Sequence, residues 1–136
     1  MGWKNFFKDL TRIEKEKEKQ RKEIGEKEME RAKKVFREFG PRIEMVCSEF
    51  SKETGWKFER SEESYGTTPS LWFSIKKNNE YTISISLTIS GWAQIGVYHN
   101  SRPWDPEGDE LVNSIWVKKF SEKWLAKQLA NVFIQR

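Results

Sequence analysis

The sequence predicts an α+β protein, and three observations carry that reading. Apolar residues step by three and four from Met29 to Phe50, a two-residue alternation follows between 71 and 99, and a helical period returns over 120–133. The expected architecture is a four-stranded antiparallel meander packed on helices, in the order α-β-β-β-β-α, with a long charged N-terminal helical extension. Residues 1–28 are expected to form the extension, and 29–136 a single α+β domain of a size that one core can serve.

The extension opens on an amphipathic tip. Trp3, Phe6, Phe7, Leu10 and Ile13 recur at helical spacing, with Lys4, Lys8 and Arg12 beside them. In the following block, EKEKEKQRKEIGEKE over 14–28, only Gln20, Ile24 and Gly25 are uncharged. Opposite charges at i,i+3 and i,i+4, such as Glu14/Lys17, Glu18/Lys22 and Glu23/Lys27, favour a solvated helix or semi-rigid spacer with no face to bury. Gly25 is its weakest point.

The first core helix carries Met29, Ala32, Phe36, Phe39, Ile43, Val46 and Phe50 on one stripe. Gly40-Pro41 interrupts it, yet the phase survives from Phe39 to Ile43. This predicts either a kinked helix or two helices with Pro41 in the first turn of the second. Cys47 lies beside that stripe as a small core residue, and Gly55 ends the segment.

Strands are expected at 56–60, 71–77, 81–89 and 92–99. The alternation in YTISISLTIS puts Tyr, Ile and Leu on one face and Ser and Thr on the other. A three-residue turn Lys77-Asn78-Asn79, with Asn79 left-handed, would pair Ile75 with Tyr81 and Phe73 with Ile83. A turn Ile89-Ser90-Gly91, with Gly91 left-handed, would pair Leu87 with Ala93, Ile85 with Ile95 and Ile83 with Val97. On the second face this register sets Trp72 by Ser84 and Gly96, Tyr98 by Thr82 and Ser74, and Trp92 by Thr88. The result is a floor of small hydroxyls with large aromatics standing on it. Segment 111–117, LVNSIWV, fits either a fifth strand or the first turns of the last helix, and the helix, beginning near Asp109 as N-cap, is the reading taken. That helix continues through Phe120, Trp124, Leu125, Leu129, Val132 and Phe133.

Charge and composition narrow the function classes. The net charge is +4, and residues 1–60, with 17 Lys/Arg against 13 Asp/Glu, carry all of the excess. A single cysteine leaves no internal disulfide framework, which suits a reducing compartment. The start MGWKNFF has no apolar signal region, Phe6 stands where an N-myristoylation motif wants Ser or Thr, and no apolar run reaches membrane-spanning length. A cytoplasmic protein is expected.

No catalytic, cofactor or metal constellation is read from the residues. His99 is the sole histidine and falls at a strand end without a recognisable nucleophile. The loop DPEGDE offers carboxylates, but the EF-hand positions for Gly and Glu hold Glu110 and Trp116. The candidate contact surface is Trp72, Trp92 and Tyr98 on the sheet with Trp104 in the loop after it, where rings could stack on a partner. Trp3, Phe6, Phe7 and Leu10 form a second candidate surface, and Lys119, Lys123 and Lys127, spaced by four, a candidate phosphate row.

The α-β-β-β-α order and a last helix opening near Lys118 and Lys119 resemble double-stranded RNA-binding domains over about half of the chain. That resemblance implies phosphate contact by those lysines. An apparent extra strand and the acidic residues Asp105, Glu107, Asp109 and Glu110 depart from it.

The primary expectation is a non-enzymatic binding or adaptor protein, meeting a protein partner or a second copy of itself. The alternative is a nucleic-acid-binding module using the basic extension and the lysine row. Peripheral membrane contact is disfavoured, since a tip of about three turns anchors poorly alone.

Overall fold

The structure is a computed structural model that describes the backbone of residues 4–136, and the side chains of that span apart from those of 4–6 and 21–24. Its elements are α1 (Lys4–Thr54), β1 (Lys57–Arg60), β2 (Ser70–Lys77), β3 (Tyr81–Ser90), β4 (Trp92–Asn100), β5 (Glu110–Trp116) and α2 (Glu122–Gln135), with short 3₁₀ turns at Pro106–Gly108 and Val117–Lys119. All strand pairs are antiparallel, and the five strands lie in chain order, β1-β2-β3-β4-β5.

The fifth strand corrects the four-strand expectation. Residues 111–117 do not open the last helix. Glu110–Trp116 extends along β4, with a bulge opposite Val97/Tyr98, and Val117 begins the 3₁₀ turn that follows. Asp109 does not open the last helix either: it ends the 3₁₀ turn Pro106–Gly108, and its carboxylate accepts from Asn100 Nδ2 at 3.1 Å. The cap is Ser121, whose hydroxyl accepts from Trp124 N at 3.1 Å, with Glu122 in the first turn. Both are ordinary helix-start signals, so the local chemistry supported a later start. The chain could not reveal β5 because its pairing is earned only against β4.

Helix α1 is a single element of 51 residues with Pro41 inside it, so two separate helices are excluded. Pro41 is exposed, where a missing amide hydrogen bond is answered by solvent. Gly40 is buried, and a Cβ there would lie 3.4 Å from Leu71 Cδ2, so the helix approaches β2 closely at this point. At 1.5 Å per residue α1 is about 77 Å long. Every residue described from 7 to 31 is exposed, and burial begins at Ala32.

The core is one layer between the sheet and two helices. Phe36, Ile43 and Cys47 of α1 and Leu125 and Leu129 of α2 pack on Leu71, Phe73, Ile83, Ile85, Leu87, Ile95 and Val97. These residues are between 0% and 1% exposed. Edge-to-face pairs Phe50–Phe133 and Phe39–Phe120 seam α1 to α2 and to the segment just ahead of it, with centroids at 5.9 and 6.1 Å.

The period-two alternation sorts the faces as expected, but both hairpin registers sit two residues from the expected ones. Ile75 pairs with Ile83, Phe73 with Ile85 and Leu71 with Leu87. Across the next turn Ile89 pairs with Ala93, Leu87 with Ile95 and Ile85 with Val97. Asn78, with φ 52°, takes the left-handed position instead of Asn79, and Gly91 takes it as expected with φ 80°. A slip of two keeps every side chain on its face, so hydrophobicity alone cannot select between these registers. Both turns are displaced along the chain relative to the expected ones, so that the two ladders close at Lys77–Tyr81 and Ser90–Trp92.

Candidate functional site

Both helices pack on the aliphatic side of the sheet, which leaves the hydroxyl side uncovered by either. Across it run two rows, Trp72–Ser86–Gly96–Ser114 and Ser74–Ser84–Tyr98–Leu111. These rows replace the expected neighbours: Trp72 stands by Ser86 and not Ser84, Tyr98 by Ser84 and not Thr82, and Trp92 by Ser90 and not Thr88. Gly96 shapes the centre. A Cβ there would come within 3.0 Å of both Ser86 Oγ and Tyr98 Cε2. Its bare backbone therefore lets the Tyr98 ring lean across the row towards Trp72, with centroids 5.8 Å apart and planes at 39°. Trp72 and Leu111 remain 39% and 58% exposed beside it. Leu111 went unnoticed as a surface residue because its segment read as helix.

Trp92 does not join that group. It stands at the opposite end of β4, edge-to-face with Trp116, centroids 5.0 Å apart and planes at 77°. These two rings wall a cleft of about 380 Å³ that is also lined by Arg31, Val35, Ala93, Val117, Lys118 and Lys119. Arg31 of α1 reaches over to the β3–β4 turn, where Nη1 donates to the Gly91 carbonyl at 2.8 Å. Neither Trp116 nor Arg31 was identifiable as a site residue from the chain alone, since they are brought together by β5 pairing and by the docking of α1.

Trp104 occupies a third location, beyond the far end of β4, and is 74% exposed. Its loop is organised by the buried Asn100. The Asn100 Nδ2 donates to the Asp105 carbonyl and to Asp109 Oδ1, each at 3.1 Å, and Oδ1 accepts from Arg102 N at 2.7 Å. Trp104 borders a shallow cleft of about 500 Å³ with Lys76, Asn78, Asn79 and Thr82. Among the described residues there is no grouping of three or more His, Cys, Asp or Glu able to hold a metal ion.

The lysine row is broken. Lys123 and Lys127 are exposed on α2, whereas Lys119 lies in the 3₁₀ turn ahead of it and faces the Trp92–Trp116 cleft. The double-stranded RNA-binding resemblance weakens for the same reason. Five strands precede α2, and Lys118 and Lys119 do not open it.

His99 sits on the sheet rim as a link between strands. Its Nδ1 is 2.7 Å from the Tyr81 hydroxyl and its Nε2 3.2 Å from Glu110 Oε2. The Tyr81 phenol is shifted up, chiefly by burial and then by the Glu110 charge. Burial also pushes the Cys47 thiol up to about 12, as suits a core residue and not a nucleophile.

On the extension, Phe7, Leu10 and Ile13 are 57%, 58% and 43% exposed. Trp3 and the side chain of Phe6 lie outside the described residues. No described helix is long and apolar enough to cross a membrane.

No protein-family model, no curated protein and no solved structure matches this chain.

Proposed function

We propose that the chain is a non-enzymatic binding protein that meets a protein partner, or a second copy of itself, through the open sheet face and the apolar stripe of α1. The observation that carries this reading is the contrast between the two sides of the sheet. One is sealed by α1 and α2, while the other offers Trp72, Tyr98 and Leu111 on a floor of Ser and Gly. Large amphipathic rings around a flat, uncharged centre are the composition of an interface core. The projecting part of α1 supplies a second contact, because Leu10 and Ile13 have no core of their own to join.

The test is mass in solution across a concentration series, with partner capture run in parallel. Trp72→Ser/Tyr98→Ser should abolish association or capture by the sheet face, and Leu10→Glu/Ile13→Glu that by α1. A chain that stays monomeric throughout, with captured proteins identical for wild type and both variants, would sink the reading. The nucleic-acid alternative rests on the basic extension and on Lys123 and Lys127. It requires binding that weakens steeply with salt, and a gel shift at low salt separates the two.

A further inference from the structure

We infer that the cleft between α1 and the β4–β5 corner is a binding site for a small anionic ligand with a flat apolar body. The inference uses none of Trp72, Tyr98 and Leu111, and so stands apart from the protein-contact reading. Three features point to that chemistry. The cleft, at about 380 Å³, has the volume of a small-molecule site. Its walls are apolar, with the edge-to-face rings of Trp92 and Trp116 still 59% and 45% exposed. Such a corner presents a ring face for stacking and an edge at right angles to it.

Charge supplies the third feature. Arg31, Lys118 and Lys119 line the cleft, and no carboxylate does. None of these cations forms an ion pair among the described residues. Gathering three positive groups beside exposed indoles costs self-repulsion that an anion would relieve. The Arg31 guanidinium is held by one nitrogen on the Gly91 carbonyl, which orients it while leaving other N–H groups to donate. The ligand would then set its ring against the tryptophans and its carboxylate, sulfonate or phosphate among the cations.

The same layout disfavours the other occupants. The chain's own tip carries Lys4, Lys8 and Arg12 against Asp9, so a second copy's tip would meet like charge. A nucleic-acid strand needs a basic track that continues past one nucleotide. Here the rows beyond the cleft are neutral Ser, Gly and Gln, and Lys123 and Lys127 do not line it.

The experiment uses the full chain and two probes of similar shape, 8-anilinonaphthalene-1-sulfonate and the neutral N-phenyl-1-naphthylamine. Titrations would be followed by probe emission and by quenching of tryptophan. The expected result is one sulfonate probe per chain, bound roughly tenfold or more tighter than the neutral amine, as close cations in a partly dry site allow. Lys118→Gln/Lys119→Gln should weaken the sulfonate about tenfold and leave the amine unchanged. Lys123→Gln/Lys127→Gln removes the same charge away from the cleft and should change neither. Trp92→Leu should weaken both, with circular dichroism confirming the fold of every variant. The inference is overturned if sulfonate and amine bind alike, if the two lysine variants behave alike, or if binding does not saturate near one per chain.

Discussion

The guanidinium of Arg42, midway along the packed half of α1, grips the carboxylate of Glu122 in the first turn of α2. Nε donates to Oε1, and Nη2 donates to Oε2 at 3.2 Å. The same guanidinium lies over the rings of Phe39 and Phe120, 5.2 and 5.0 Å from their centroids. A two-pronged ion pair thus sits on an aromatic seam and joins residues eighty positions apart. It also places a negative charge at the N-terminus of α2, where the helix dipole favours one.

This geometry sets a pH dependence. Glu122 is held below the ordinary carboxylate range, first by the Arg42 hydrogen bond and then by a backbone hydrogen bond. A carboxyl whose folded pKa is depressed stabilises the fold above its unfolded pKa, and that contribution is lost as pH falls through the folded value. Glu122→Gln should therefore melt earlier than wild type at pH 7, with the gap narrowing below about pH 4. Thermal melts by circular dichroism across pH check this, and a gap that is constant with pH would contradict it.

Gly108 is required by the loop that presents Trp104. A Cβ there would fall 2.5 Å from Asn100 Oδ1, and Asn100 is pinned by three hydrogen bonds. Gly108→Ala should destabilise the protein by about 1–3 kcal/mol, because the buried amide must leave partners it cannot replace. Denaturant unfolding measures the loss. Equal stability of wild type and variant would mean that the loop relaxes freely.

Pro41 costs α1 one hydrogen bond at an exposed site. Pro41→Ala restores the donor in a helix interior, where proline is about 3 kcal/mol worse than alanine. A gain of roughly 1–3 kcal/mol is expected, with unchanged content by circular dichroism. A loss would reveal that Pro41 contributes to the close approach of α1 to Leu71.

Cys47 is fully buried and its thiol is pushed up to about 12 by burial. At pH 8 almost no thiolate is present, so a disulfide reagent should react on the order of a thousandfold more slowly with native chain than with chain unfolded in denaturant. Fast native labelling would place the sulfur outside the core.

The two halves of α1 should respond differently to truncation. Ile43→Ala removes a fully buried side chain and should cost about 2–5 kcal/mol. Leu10→Ala, 58% exposed, should change stability by less than about 0.5 kcal/mol in a monomer. Concentration-dependent loss of stability in Leu10→Ala would instead reveal burial of the stripe in an assembly.

Much of the architecture was legible because it rests on short-range periodicity. The three- and four-residue steps from Met29 to Phe50 identify the packed stripe of α1, with Ala32, Phe36 and Ile43 at its centre. The strict alternation over 81–90 decides which side chains of β3 face the helices and which form the hydroxyl floor. Helix and strand repeats are properties of a few neighbouring residues, so the chain alone specifies them. The same holds for the left-handed turn at Gly91.

What only the tertiary structure decided depends on partners distant in sequence. A slip of two residues leaves every face unchanged, so local pattern did not choose the register that brings Trp72 to Ser86 and Tyr98 over Gly96. ELVNSIW became a strand because the edge of β4 offered it a ladder, and that pairing stood Trp116 against Trp92. Arg31 entered their cleft because α1 docks across the sheet. Local pattern thus determined the faces, while long-range pairing decided which residues on a face meet.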